Sequence, residues 1–319
     1  MKQTQNSNFN FLEANPLIYN NADNCKYERP YIIDFSPIAK IYNTDNFLIL
    51  LNSNAVNSVV TPYSLLIQVA LGYLDGAFSL IRTEPGRSRF EDLVRGIFGA
   101  LHMKGNALFF RHAQAKREYG LNPGWSSALT QGQALSLWLR LNALGETFSD
   151  LNHIGPLLLN GMLYSVEDGG GLYRDQRTNE LWLEEYPSNP ASHVLNGFIF
   201  ALFGLMEFNM RDDLHKTDKT ISIERKLIQT LSANINLYDR FGWSYYDLEK
   251  RNFAPTHYHL IHTFTLNYIS VMLNNDRFAV VAKRWRRGID LNLYGLIDVL
   301  RFVRKVFRKS YVTLVGRRW

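Results

Sequence analysis

The chain has 319 residues and a formal net charge of +6 at neutral pH. It is long enough for one large domain or two modest ones, and its apolar and charged fractions are ordinary for a globular protein. A single cysteine, Cys25, excludes an intrachain disulfide framework. The first residues lack the apolar core of a secretory signal, and the longest apolar run, 194–208, is too interrupted for a transmembrane helix. We therefore expect a cytoplasmic protein.

The N-terminal residues 1–60 predict a polar arm followed by a short β segment. Residues 1–25 are rich in Asn and other polar residues. Between residues 30 and 62, the runs YIIDF, FLILLN and VNSVVT combine β-branched and aromatic residues and are bounded by Asn, Ser and Pro. Such runs are typical of strands. We expect a few strands before the main body of the protein.

From Pro62 onward, apolar residues recur at spacings of three and four, which predicts a mainly α domain over residues 61–287. A toroid of helical hairpins would leave a central cleft, but the spacing does not distinguish a toroid from a plain bundle. The predicted helices are 62–80, 88–102, 127–145, 149–165, 192–208, 221–238, 259–273 and 276–287.

The C-terminal tail, residues 288–319, is basic and amphipathic. Over 293–309, apolar residues fall on one helical face and Arg and Lys on another. One interpretation is peripheral attachment to the anionic inner membrane surface. The other is a helix that packs against the domain while its charges are solvated. The sequence favours neither.

Three segments carry the chemistry-bearing residues. They are WSSALTQGQALSLWLR at 125–140, EEYPSNPASHVLNGFIFALFGLMEF at 184–208, and YYDLEKRNFAPTHYHLIH at 245–262. Each has an ordinary structural explanation when taken alone: a polar helix start, a buried helix with small residues, and a hairpin edge. The occurrence of all three segments in this order identifies a protein family far more specifically than any one segment does.

Together the three segments resemble the D-glucuronyl C5-epimerase family. That family carries W-x-S-x-x-x-Q-G-Q-A, then E-Y-P-x-x-P-x-S-x-V-L-N-G-F, then Y-D-L followed by Y-H-x-x-H. The matching positions here are Trp125, Ser127, Gln131 to Ala134, Glu185 to Pro187, Pro190, Ser192, Val194 to Phe198, Tyr246 to Leu248, Tyr258, His259 and His262. The resemblance implies an incomplete (α/α) barrel preceded by β structure.

The resemblance also implies an activity: inversion of C5 of D-glucuronosyl units, giving L-iduronosyl units within a heparosan-like polysaccharide, with no cofactor. The implied partner is an acidic polysaccharide and not a nucleic acid; whether the chain forms a homodimer stays open. Two alternatives also stay open. A polysaccharide lyase would share proton abstraction at C5 but eliminate the C4 oxygen, and a non-catalytic relative would only bind glycan.

C5 inversion needs acid and base groups on opposite faces of the sugar ring, and donors for the developing enediolate. Tyrosine serves as a base where a nearby cation lowers its pKa. By resemblance, the expected proton-transfer residues are Tyr186, Tyr246, Tyr258 and Glu185. The expected substrate-binding residues are Arg111, Trp125, Gln131, Gln133, His193, Asn196, Lys250, Arg251, His259 and His262.

One position departs from the family pattern. The Y-D-L of the family is commonly followed by Arg, a partner for the substrate carboxylate, whereas this chain has Glu249. Lys250 and Arg251 are the next cations along the chain. The H-x-H-x-x-H pattern at 257–262 suggests metal, but metal ligands usually include Asp, Glu or Cys at recognisable spacing. Because Tyr258 already gives this segment a role, we expect no metal site.

Overall fold

The computed structural model describes residues 35–42, 62–75, 81–82, 84–143, 146–212, 215–291, 293, 295 and 297–300. These residues are mainly helical, with a few short strands. The chain forms two compact units, Met1–Ala100 and Leu101–Trp319. The three-part division suggested by the sequence, with boundaries after residues 60 and 287, stays a prediction.

The residues described in the first unit include three α-helices: α1 (Ser36–Tyr42), α2 (Tyr63–Leu74) and α3 (Gly86–Gly99). Helices α1 and α2 pack closely at Gly72, where a Cβ atom would lie 2.2 Å from the Phe35 carbonyl oxygen. Only a residue without a side chain permits that approach. The predicted helices 62–80 and 88–102 are confirmed with different ends. Apart from Phe35, the three predicted strand segments lie outside the described residues.

The described part of the second unit contains six α-helices, and each corresponds to a helix predicted from apolar spacing. It also contains three antiparallel two-stranded hairpins, one before the first of these helices and two between helices, which the sequence did not predict. The helices are α4 (Ala128–Asn142), α5 (Ile154–Leu163), α6 (Leu195–Arg211), α7 (Asp218–Asn234), α8 (Thr256–Met272) and α9 (Asp276–Asp290). The strands are β1 (Leu101–Lys104), β2 (Ala107–Phe110), β3 (Leu172–Arg174), β4 (Leu181–Leu183), β5 (Asp239–Arg240) and β6 (Trp243–Ser244).

Helices α4 and α6 form the centre of the second unit and are buried along almost their whole length. A Cβ atom on Gly132 would lie 2.6 Å from the Ala201 Cα atom, and one on Gly204 would lie 2.3 Å from the Gly132 carbonyl oxygen. The two backbones therefore touch, which small residues allow. This contact fixes the two helices on which the Q-G-Q and V-L-N-G-F motifs lie.

The described part of the C-terminal tail ends at residue 300. Within it Ile289 and Ile297 are buried, while Val299 and Leu300 are exposed. Residues 301–319, which hold most of the basic face, lie outside the described residues. No helix in the described part of the chain is long and apolar enough to cross a membrane.

Candidate active site

Strand β4 carries the chain into the site. Its three residues are buried, and the backbone directly after it is held on both sides. The Glu184 N–H donates to the Gly171 carbonyl oxygen (2.8 Å), and the Glu184 carbonyl oxygen accepts from the Ala128 N–H at the start of α4 (2.9 Å). Glu185 and Tyr186 therefore extend from a fixed point between the hairpin and α4.

Glu185 is a buried carboxylate at the centre of the site. The Tyr246 hydroxyl donates to its Oε1 atom (3.5 Å), and the Asn196 amide donates to Oε2 (3.3 Å). Burial raises the pKa of Glu185 to about 7, and the hydrogen bonds and the charge of Lys116 oppose this rise. Gly197 lies against the carboxylate, because a Cβ atom there would lie 2.3 Å from the Glu185 Cβ atom.

Three half-buried tyrosines surround this carboxylate. Tyr186 hydrogen-bonds with both Glu185 and Tyr246, and Tyr246 also hydrogen-bonds with Tyr258. The Tyr246 and Tyr258 rings meet edge to face, with centroids 5.0 Å apart. We call Glu185, Tyr186, Tyr246 and Tyr258 the carboxylate–phenol cluster. The structure thus brings together all four expected proton-transfer residues.

The tyrosine pKa values move in the direction opposite to the one expected from a nearby cation. Burial is the main cause, and the Glu185 charge adds to it. The pKa of Tyr258 is raised to about 12, and those of Tyr186 and Tyr246 are also raised well above their usual value. The phenols therefore keep their protons at neutral pH. Glu185, with a pKa near 7, is the member of the cluster that can accept one.

Tyr119 packs against the carboxylate–phenol cluster, although no motif in the sequence indicated it. Its ring stacks on Tyr186 with centroids 4.5 Å apart, and its hydroxyl donates to the Asp247 Oδ2 atom (3.2 Å). Asp247 also accepts from the Lys250 backbone N–H (2.5 Å). The aspartate of the Y-D-L motif therefore fixes Tyr119 and the following turn.

Two lysines lie over these rings. The Lys116 ammonium is 4.7 Å from the Tyr186 ring centroid, and the Lys250 ammonium is 3.7 Å from the Tyr119 ring centroid. Lys250 also donates to the Glu118 carbonyl oxygen and lies 3.5 Å from the Glu249 carboxylate. Arg251 is exposed, with a φ of +51°. Of these cations, Lys116 is the one that the sequence did not suggest.

Trp125 lies at the edge of the site. Its ring stacks on His112 (4.1 Å between centroids) and is tilted towards Tyr186 (5.6 Å). Burial lowers the pKa of His112 to about 4, so this imidazole is neutral at physiological pH. Arg111 donates to the carbonyl oxygens of Gly169 (2.9 Å) and Gly124 (3.4 Å). Trp125 thus stands beside the cluster, whereas Arg111 braces two loops.

His193 is bound to a buried carboxylate rather than to the cluster. Its Nδ1 atom is 2.6 Å from the Glu184 Oε1 atom, and its ring stacks on Trp182 with centroids 4.1 Å apart. Its φ is +49°, and its carbonyl oxygen accepts from the Tyr238 hydroxyl (2.6 Å). The expected contact of His193 with substrate stays a prediction, because these bonds give the residue a structural role of its own.

The two glutamines of the Q-G-Q motif are buried in α4. The Gln131 Oε1 atom accepts from the Phe110 N–H (3.1 Å), and its Nε2 atom donates to the Leu108 carbonyl oxygen (2.8 Å). Gln131 therefore holds strand β2 against α4. Gln133 is fully buried in the same helix. Their expected contact with substrate stays a prediction.

His259 and His262 lie in the core. The Ser244 N–H donates to His259 Nδ1 (3.0 Å), and the Ser244 Oγ atom lies 2.9 Å from that nitrogen and 2.8 Å from His262 Nδ1. The His259 ring also stacks on Trp243 at 3.8 Å. We call Ser244, His259 and His262 the histidine–serine cluster. Burial lowers the pKa of His259 to about 3 and that of His262 well below its usual value.

Within the described part of the chain, no group of three or more His, Cys, Asp or Glu residues is arranged to hold a metal ion. The candidate site instead contains a buried carboxylate that is hydrogen-bonded to phenols. Such a cluster is suited to moving protons to and from a bound molecule. Fold and site together define a mainly helical protein with a candidate proton-transfer centre.

The chain belongs to the D-glucuronyl C5-epimerase C-terminus family, whose model matches residues 104–287. Among curated proteins, it is 29% identical over 186 residues to a D-glucuronyl C5-epimerase of Caenorhabditis elegans. That match covers 54% of this chain and 30% of the relative. It is also 28% identical over 175 residues to an uncharacterised protein of Methanocaldococcus jannaschii, covering 53% of this chain and 54% of that protein. The chain thus matches about a third to a half of the length of these relatives.

Proposed function

We propose that the protein is an epimerase that inverts C5 of D-glucuronosyl units to L-iduronosyl units within a heparosan-like acidic polysaccharide. The observation that carries this proposal is the carboxylate–phenol cluster. A carboxylate with a pKa of about 7 is hydrogen-bonded to phenols that hold their protons at neutral pH. Family membership supports the same reaction class.

The hydrogen bonds of the cluster suit a two-sided proton transfer. Tyr186 and Tyr258 both hydrogen-bond to Tyr246, so they lie at the two ends of the chain of hydroxyls. In the proposed mechanism, one end phenol accepts the C5 proton while passing its own proton to Glu185, directly or through Tyr246. The substrate becomes an enediolate. The other end phenol then donates its proton to the opposite face of C5.

The cluster then returns to its starting state. After donation, one phenol is left as a phenolate and Glu185 is protonated, so the proton passes from Glu185 back along the hydroxyls. Every proton is accounted for, and no redox step is needed. Because the Tyr246 hydroxyl already bonds to Glu185, the return path is present in the free protein.

We further propose that the helices of the second unit form an incomplete (α/α) barrel. Helix α4 packs against α5 and α6, and α8 packs against α9, so neighbouring helices pair as hairpins. Paired helices arranged in this way leave one end for a cleft, where loops bring residues from different pairs together. Residues of the carboxylate–phenol cluster come from such loops and helix starts: Glu185 and Tyr186 precede α6, and Tyr258 lies in the first turn of α8.

The proposal is tested by incubating heparosan with the protein in deuterated water and observing the C5 position by NMR. We expect deuterium at C5 and the appearance of L-iduronosyl units. A lyase would instead produce an unsaturated uronate with a rise in ultraviolet absorbance. A glycan-binding protein without activity would bind heparosan and leave its C5 hydrogens unexchanged. Either of the last two results would refute the proposed epimerase.

A further inference from the structure

A uronosyl substrate brings a negative charge next to Glu185, which is itself a buried acid. Two carboxylates at close range repel each other unless a cation lies between or beside them. The enediolate that forms when C5 loses its proton carries still more negative charge on the carboxyl oxygens. The proposed reaction therefore needs a cation close to the carboxylate–phenol cluster.

Most of the cations expected to serve this role are bound elsewhere. Lys250 contacts the Glu249 carboxylate, the Glu118 carbonyl oxygen and the Tyr119 ring. Arg111 donates to the carbonyl oxygens of two loops. Contacts within the protein thus already occupy hydrogen-bond donors of both side chains and partly neutralise the charge of Lys250.

Lys116 differs from these residues. Its backbone pairs with Leu121, which fixes its position, while its side chain is half-buried and ends 4.7 Å from the Tyr186 ring centroid. Within the part of the chain that the structure describes, the Lys116 ammonium forms no ion pair closer than 4.0 Å. It is still near enough to Glu185 to favour the ionised form of that carboxylate.

The surroundings of Lys116 are aromatic. Tyr186, over which it lies, is stacked on Tyr119 and is in tilted contact with the Trp125 ring. An ammonium held over a ring face gains some stabilisation but keeps its hydrogen-bond donors available for an acceptor. A half-buried cation among rings binds an incoming anion more strongly than a fully hydrated one, because the local dielectric constant is lower.

We propose that Lys116 binds the carboxylate of the uronosyl unit and holds it beside the carboxylate–phenol cluster during proton transfer. This inference rests on the proposed function and names the cation of that same site. It places the carboxylate partner on the loop before residue 119, and not on the residues that follow the Y-D-L motif. By resemblance, the expected partner was the Arg of the family pattern, and this chain has Glu249 at that position.

Lys116→Met tests the inference, because methionine keeps the length of the side chain and removes the charge. We expect kcat/KM for a heparosan oligosaccharide to fall by about 10-fold to 100-fold, as for loss of a charged hydrogen bond. Lys116→Arg should keep most of the wild-type kcat/KM, because it retains the positive charge. The control is Lys226→Met, which removes an exposed lysine from α7 and should leave kcat/KM within twofold.

Two further measurements separate a binding role from a structural one. The first uses a heparosan oligosaccharide made neutral by reduction of its carboxyl groups to hydroxymethyl groups. Wild type and Lys116→Met should bind this neutral oligosaccharide equally weakly. In addition, the acid limb of the pH profile should move to higher pH in Lys116→Met, since Glu185 loses the nearby positive charge. Lys116→Arg should keep the wild-type limb. A Lys116→Met variant with wild-type kcat/KM and binding would overturn the inference.

The outcomes also distinguish this inference from the proposed function. If wild type exchanges C5 hydrogen and Lys116→Met does so equally well, the epimerase stands and the role of Lys116 is refuted. If wild type binds the acidic oligosaccharide through Lys116 but exchanges no hydrogen, the carboxylate site stands and the epimerase is refuted. If wild type neither binds nor exchanges, both are refuted.

Discussion

The carboxylate–phenol cluster and the histidine–serine cluster share two stretches of chain, yet they differ in what they can do. Ser244 and Tyr246 lie two residues apart, and His259 follows Tyr258 directly on α8. Ser244 and the two histidines are fully buried, whereas the tyrosines are half-buried. One cluster is closed within the core, and the other keeps hydroxyl groups at a partly open surface.

The difference between the two clusters lies in where burial moves each pKa. Burial lowers the pKa of His259 to about 3, so this imidazole stays neutral at every working pH and exchanges no proton. Burial raises the pKa of Glu185 to about 7, so this carboxyl gains and loses a proton near neutrality. The same desolvation thus makes one group inert and prepares the other for acid–base chemistry. Burial of a titratable residue is not by itself a sign of function.

The largest expected effect is on turnover. Tyr186→Phe and Tyr258→Phe each remove a proton-carrying hydroxyl, so each should cut kcat by about 10² or more while leaving the fold intact. The measurement is deuterium incorporation at C5, with circular dichroism as the check on folding. Tyr245→Phe, on the same segment but outside the cluster, is the matched control. Activity within a few-fold of wild type for both variants would remove these tyrosines from the mechanism.

The next effect is on stability. His259→Leu leaves the buried Ser244 N–H without its acceptor, which should lower the free energy of unfolding by about 2 kcal/mol. Denaturant unfolding measures this change. The folded fraction should still exchange C5 hydrogen, because His259 carries no proton in the reaction. A variant of wild-type stability that had lost all exchange would place His259 in the chemistry and erase the contrast between the clusters.

A smaller effect is expected on the pH dependence. Glu185 accepts a proton only when ionised, so kcat/KM should fall about tenfold per pH unit below about 7. The contribution of Glu185 to stability changes with pH in the direction opposite to that of kcat/KM. The folded pKa lies above the unfolded value of about 4.3, so the contribution of this carboxyl to stability is present below pH 4.3 and is lost as pH rises to 7. A kcat/KM that stays flat from pH 5 to 8 would exclude Glu185 as the acceptor.

The smallest effect on turnover is expected from shortening the tail. Truncation after Leu300 keeps the buried Ile289 and Ile297, so activity on short oligosaccharides should stay within a few-fold. Truncation after Gly288 removes both and should lower stability, since each buried isoleucine contributes about 1.5–3 kcal/mol. If residues 301–319 contact a membrane, the truncation after Leu300 should be enough to abolish sedimentation with anionic vesicles. Equal sedimentation of the full chain and the Leu300 truncation would leave the packing interpretation.

Apolar spacing predicted the helices well but not the direction in which each polar side chain faces. Tyr258 and His259 are neighbours on a helix, so their side chains point about 100° apart. Helix α8 is apolar on several sides, so its sequence did not show that position 258 faces the cluster and position 259 the core. The motifs, read as a resemblance, identified the four cluster residues and gave no account of which residue accepts the proton.

Lys116 and Tyr119 could not have been found from the sequence, for a different reason. They lie in the stretch KREY, an ordinary run of polar and aromatic residues outside every motif. What relates them to the site is stacking: Tyr119 on Tyr186, and Lys116 over the same ring. Contacts of this kind join segments about 70 residues apart in the chain, and no local periodicity encodes them.

The burial of Glu185 has a consequence for isotopic labelling. A proton that reaches this carboxyl is shielded from water and is hydrogen-bonded only to phenols and an amide within the described site. In the proposed mechanism, the hydrogen taken from C5 stays on the phenol that accepted it, and the other phenol donates its own. After the enzyme has been equilibrated in deuterated water, the first-turnover product should therefore carry deuterium at C5. Because the proton on Glu185 passes back along the hydroxyls, slow exchange of the buried cluster with solvent should deliver part of the removed hydrogen to C5 of a sugar processed in a later turnover.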